Sequence, residues 1–175
     1  AVKAFFMDRG EPIVDAVVSL TGFSLVGGPA YNDTDAAQEM LEALDVPYLA
    51  VQGLEFQSLQ DWESSSMGLM PVEATMMVAI PELDGATGSM VFGGRSEPSA
   101  GEKCDMQPAP ERIDRLADRV ARLVGLRHTP IAERKVAIVL FNFPPNSGAA
   151  GTAAHLSVFE SLFNTLLAMR EEGYH

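Results

Sequence analysis

Two glycine loops hold the residues whose types could do chemistry. One runs from Thr21 to Asn32 and sets Gly22, Gly27 and Gly28 among Phe23, Leu25, Pro29 and Tyr31. The other, Pro144 to Thr152, reads PPNSGAAGT. Each follows an apolar run that reads as a strand, and in open parallel sheets ligands bind beyond the carboxyl ends of the strands. Pro144 and Pro145 stiffen the exit from the second run, and the glycines let the backbone turn or approach a ligand closely. Asn146 and Ser147 add neutral donors, and Thr152 can cap a helix whose first amides are free to face a carboxylate. Phe23, Pro144, Pro145, Asn146, Ser147, Gly148, Gly151 and Thr152 are therefore candidate binding residues, and they suit a large, flat, apolar ligand better than a nucleotide. The same residues could instead shape two tight turns that meet no ligand.

Other site chemistries lack their residues. Neither loop is a GxGxxG, and no GK[ST] supplies a phosphate-binding lysine. His128, His155 and His175 are far apart, with no HExxH and no CxxC, so no metal constellation is legible. Gly22-Phe23-Ser24 is followed by Leu25 and Val26, which is not the GxSxG of a nucleophile elbow. The nine methionines, Met76-Met77 among them, read as core packing.

The elements that must position these loops follow from periodicity. Ile13 to Leu20 reads as a first strand. Asp33 or Thr34 can cap a helix with the stripe Ala37, Met40, Leu41 and Leu44, and Val46 to Gln52 is a second strand. Ser58 to Trp62 suggests a short helix. A further helix follows Gly68, with Pro71 near its first turn, and runs to Ile80, and Pro81 to Gly85 reads as a turn. Ser89 to Phe92 is a short third strand, and Gly93 to Pro110 has the composition of a linker or exposed loop. Glu111 to Leu126 is an amphipathic helix with Ile113, Leu116, Val120, Leu123 and Val124 on one face. Val136 to Phe143 is a continuous apolar run, the pattern of a strand buried on both faces. Behind it a long helix begins after Thr152, with Leu156, Phe159, Phe163, Leu166 and Leu167 as its stripe.

Strands alternating with helices predict an α/β fold: a Rossmann/flavodoxin-like three-layer unit with a mostly parallel sheet, then a helix and the first βα of a second α/β unit. The expected limits are 1–98 for the α/β domain, 99–110 for the linker, and 111–175 for the helix with the start of the second unit.

Composition narrows the partners. With 175 residues, 47% hydrophobic and 21% charged, the chain can bury one core, or one core and part of another. A formal net charge of −12 argues against nonspecific nucleic-acid binding and against docking to anionic lipid. No apolar run reaches transmembrane length, and the start has no signal-peptide pattern and no initiator Met, which fits an internal fragment. Cys104 is the only cysteine, so no internal disulfide forms, and a reducing cytoplasm is expected.

The stretch FPPNSGAAGTAAHLSVFESLFNTL resembles a segment of the large, porphyrin-binding subunit of the magnesium chelatase family, bacteriochlorophyll type. VDAVVSLTGFSLVGGPAYND, LDVPYLAVQGLEFQSLQDW and GLMPVEATMMVAIPELDGATGSMVFGGR are similar to it too, in the same order, so the resemblance covers nearly the whole chain. It implies a parent protein that handles protoporphyrin IX and Mg²⁺ while two AAA+ partner subunits, I and D, use ATP. It implies a cytoplasmic protein, peripheral to photosynthetic membranes through the full complex, and an isolated fragment that needs no cofactor and is inactive. Insertion of Mg²⁺ removes two pyrrole protons and calls for a general base. Under that resemblance Glu73, Glu82, His155 and Glu160 are acid/base candidates, although the catalytic groups are expected outside this segment. Two rivals are a cobaltochelatase large subunit and a non-catalytic scaffold that docks partners, with Arg112, Arg115, Arg119 and Arg122 on one helix.

Overall fold

A computed structural model describes residues 5–28, 31–97, 105–142, 151 and 157–175. The chain divides into two compact units, Ala1–Gly125 and Leu126–His175. The first is mixed α/β. Its four-stranded sheet runs β3 (Val17–Ser19), β4 (Tyr48–Ser58), β5 (Met90–Arg95), β6 (Met106–Pro108) in spatial order, and a separate hairpin of β1 (Met7–Asp8) and β2 (Glu11–Pro12) precedes it. The β3–β4 and β4–β5 pairs are parallel, and β5–β6 is antiparallel. The mostly parallel α/β sheet expected from the sequence is present.

Strand β4 is the centre. Tyr48, Leu49, Ala50, Val51 and Gln52 are all buried, as a parallel strand covered on both faces requires. Helix α1 (Thr34–Leu44) leads into it. Asp33 is the N-cap, its Oδ1 accepting from the Ala36 amide at 3.0 Å, and Ala37 and Leu44 are buried. Leu41 of α1, with Val17 and Leu25, packs against the Tyr48, Ala50 and Ala86 cluster. Ser58 then caps α2 (Leu59–Ser64), accepting from the Asp61 amide at 3.0 Å.

The next helix, α3, has three parts: Pro71–Glu73, a π segment Ala74–Ala79, and Ile80–Leu83. The stretch from Pro81 therefore corrects the expected turn, because Pro81 and Leu83 are helical and the chain leaves the helix only at Asp84. A wide π turn directly before Pro81 loosens the i→i−4 ladder at the point where proline would break it.

Gly93 to Pro110 also differs from the expected linker. Gly93–Arg95 belongs to β5 and pairs with Met106–Pro108. The glycines explain why composition misleads there. A Cβ at Gly93 would collide with the Gln107 carbonyl, and one at Gly94 would come within 2.8 Å of Leu54, so close strand and side-chain approach requires them. Helix α4 (Pro110–His128) follows. Its Arg119 Nη1 donates to the Gly88 carbonyl at 2.6 Å, and Arg112 lies 5.1 Å from the Trp62 ring centroid.

In the second unit the expected strand Val136–Phe143 is not formed. Residues 136–141 join no ladder, Asn142 makes a single bridge, and Phe143 lies outside the described residues. Val136, Ile138 and Leu140 line a groove of about 290 Å³ with Val158, Leu162 and Met169 of helix α5 (Val158–Glu171), whereas Val139 is 91% and Phe141 60% exposed. Alternate residues of the run line the groove, as along a strand, but only one face meets a helix. The N-cap of α5 is Ser157 rather than Thr152, and Ser157 Oγ donates to Glu160 Oε2 at 3.1 Å.

Candidate functional site

The first glycine loop folds as a small closed hairpin. Ser24 bridges Gly28, and the Asp33 amide donates to the Val26 carbonyl at 3.2 Å. Gly27 has φ +100, and a Cβ there would strike the Tyr31 carbonyl, so this turn can be made only by glycine. Between this loop and α3 lies a pocket of about 230 Å³. Phe23, Ser24, Gly28, Tyr31 and Asn32 form one wall, and Met76 of the π segment and Ile80 form the other.

One buried carboxylate ties the loop to α3. Asp84 is 0% exposed, and its Oδ2 accepts from Ser24 Oγ at 2.7 Å and from the Leu25 amide at 2.8 Å. Its Oδ1 is buried with no hydrogen-bond partner, as are Tyr48 Oη and Gln52 Oε1. Burial pushes the Tyr48 phenol above its ordinary range. The nearby Ser19 hydroxyl pulls it the other way, and charge on Asp84 adds to the rise. Tyr48 and Gln52 lie on the same face of β4, and Leu25 of the loop packs against the cluster that contains Tyr48.

Glu73, an acid/base candidate, is also fully buried, but its carboxylate is saturated. The Phe56 amide donates to Oε1 at 3.3 Å, the Met70 amide to Oε2 at 3.1 Å, and the Gln57 side-chain amide to Oε2. It fastens the end of β4 to the start of α3. Glu82 is exposed, and Glu160 sits in the first turn of α5. Of the predicted binding residues, Phe23 lines the pocket. Gly151 has φ +69, and its amide donates to the Phe141 carbonyl at 2.8 Å. Pro144, Pro145, Asn146, Ser147, Gly148, Thr152 and His155 lie outside the described residues. Asp84 and Tyr48 were missed by sequence reasoning. The first sat in an apparent turn and the second in an apolar strand, and nothing in either pattern signals a buried polar contact.

A larger hollow, about 440 Å³, lies by Trp62, Gly68, Pro110 and Arg112; it holds Arg112 of the docking alternative and none of the predicted binding or acid/base residues. Among the described residues no three His, Cys, Asp or Glu side chains gather to hold a metal, and no helix is long and apolar enough to cross a membrane.

The fold and pocket define a parallel-sheet α/β protein with an apolar recess beside the first glycine loop. Comparison with known proteins narrows this: the chain belongs to the CobN/Magnesium Chelatase family, whose profile matches residues 1–175. It is 56% identical over 174 residues to the magnesium-chelatase H subunit of Rhodobacter capsulatus, an alignment covering 92% of this chain and 15% of that protein. It is 54% identical to the magnesium-chelatase H subunit of Cereibacter sphaeroides, covering 99% and 16%. Identity to the aerobic cobaltochelatase CobN subunit of Pseudomonas aeruginosa is 34%, covering 90% and 12%. The chain thus spans about a sixth of the length of the two magnesium-chelatase relatives. No solved structure matches.

Proposed function

We propose that this chain is a segment of the porphyrin-binding subunit of a magnesium chelatase, which inserts Mg²⁺ into protoporphyrin IX on the route to bacteriochlorophyll. The observation that carries this reading is the 54–56% identity to two magnesium-chelatase proteins along nearly the whole chain, against 34% to a cobaltochelatase protein. In the parent, ATP is used by two AAA+ partner subunits, I and D. The two pyrrole protons that leave as Mg²⁺ enters are taken by groups outside this segment. The role of the segment is to hold and orient the macrocycle, and Glu73, one of the acid/base candidates, serves structure instead, committed to three donors that lock strand to helix. The net charge of −12 fits a component of an assembly in solution better than one held on anionic lipid.

The test is a hybrid: the R. capsulatus protein with its corresponding segment replaced by this chain, supplied with partner subunits, ATP, Mg²⁺ and protoporphyrin IX. Magnesium porphyrin, read by its fluorescence, is expected from the hybrid and not from this chain alone. A folded hybrid that binds no porphyrin and makes no product would refute the reading, and product with Co²⁺ but not Mg²⁺ would move it to the cobaltochelatase branch.

A further inference from the structure

We propose that the recess between the first glycine loop and the π segment of α3 seats one edge of the macrocycle, with Asp84 as the positioning residue that holds its wall. The inference rests on the porphyrin-binding reading and names the part of the chain that would meet the ligand.

Three observations converge on this recess. Its walls are of the right chemistry, since Phe23 and Tyr31 face Met76 and Ile80, with the Ser24 and Asn32 side chains as neutral polar groups. Aromatic and thioether surfaces suit the flat face of a conjugated ring system. Its volume of about 230 Å³ is below the range of about 300–1,000 Å³ that encloses a drug-sized ligand, so it takes an edge and leaves the rest of a macrocycle outside. Its shape is imposed from elsewhere in the chain. Gly27 and Gly28, both at positive φ, fold the loop, and a π turn, a feature frequent at functional sites, forms the opposite wall.

Asp84 is the buried carboxylate that fixes the loop wall of this recess. A carboxylate at 0% exposure with one oxygen unpartnered is costly, and an amide could accept the same two hydrogen bonds without the charge. Through Ser24 Oγ and the Leu25 amide, Asp84 sets where Phe23 stands relative to Met76 and Ile80. It touches no ligand itself.

The experiment uses the hybrid protein and protoporphyrin IX, with affinity from fluorescence quenching and folding from thermal melts. In the hybrid carrying the unaltered segment, porphyrin binding must first be present, and its absence would count against the functional reading rather than the recess. Met76→Trp, which fills the recess, is expected to weaken binding about tenfold, the equivalent of about 1.4 kcal/mol of lost contact, with little change in melting temperature. Tyr31→Ser serves beside it, because Tyr31 is 65% exposed and its truncation leaves the core intact, and it is expected to weaken binding in the same direction. Asp84→Ala should weaken binding, and Asp84→Asn, which keeps an acceptor for Ser24 and Leu25, should restore most of it. Unchanged affinity in folded Met76→Trp or in Tyr31→Ser would overturn the assignment. Asp84→Ala losing stability but not affinity would remove Asp84 from it.

Discussion

Strand β4 and the run Val136–Asn142 look alike in sequence and differ in structure. Both contain a continuous apolar run with β-branched and aromatic residues, Tyr48–Val51 within β4 and Val136–Phe141 in the second unit. β4 has a parallel neighbour on each edge and is buried on both faces from Tyr48 to Gln52. Residues 136–142 have helix α5 on one face, an exposed Val139 on the other, and no ladder among the described residues. An apolar pattern states what a segment can bury. Only neighbours decide whether it becomes a strand, because the unpaired backbone must otherwise keep its bonds with water. Each run is also pinned near its end by one residue. Glu73 holds Phe56 and Gln57 beyond the core of β4, and the Gly151 amide holds the Phe141 carbonyl.

Substitutions along the two runs sharpen this contrast. Leu49→Ala in β4 should lower unfolding free energy by about 2–5 kcal/mol in urea titrations, the range for truncating a fully buried leucine. Glu73→Ala should cost about 3 kcal/mol, because three donors lose their acceptor, with Glu73→Gln recovering part of it. A fully stable Glu73→Ala protein would show that the pin is dispensable. Gly151→Val should cost about 1–3 kcal/mol and speed hydrogen exchange in α5, since its Cβ would lie 3.1 Å from the Phe159 ring at a φ of +69. At high pH a smaller effect is expected. The Tyr48 phenol is raised chiefly by burial, so its contribution is intact below its ordinary value near 10 and lost as pH rises through the raised value. Tyr48→Phe should therefore show a shallower alkaline decline of melting temperature than the parent. Last, Val139→Ser should change stability by less than about 0.5 kcal/mol, as expected for an exposed site. A large loss there would mean that the outer face of the run is covered.

The legible parts were those fixed by local chemistry. Asp33 or Thr34 announced α1, of which Asp33 is the cap, the Ala37/Leu44 stripe gave its buried face, and the run Val46 to Gln52 gave the central strand. The hairpin Met7–Pro12 was missed because its two-residue turn uses Arg9 at φ 52, a residue with no turn preference, beside Gly10. Strand β6 was missed because Met106–Pro108 gains its pairing from β5 rather than from its own composition. Of the candidate site, the loop glycines and Phe23 were readable as loop chemistry, whereas Asp84 meets Ser24 only through the fold, sixty positions along the chain.

The π segment Ala74–Ala79 sets a limit on how the chain can change length. It lies between two buried carboxylates, Glu73 in the helix, turned to the end of β4, and Asp84 at the helix C-cap, turned to the glycine loop. An i→i+5 turn accommodates one residue more than an α turn, so it fixes the rotational phase between those two side chains. Removing a single residue anywhere from 74 to 79 would let the helix relax to ordinary α spacing and swing one carboxylate off its donors. Insertions and deletions that a surface loop absorbs are therefore excluded from this span, even at Thr75 and Ala79, where the side chains face solvent.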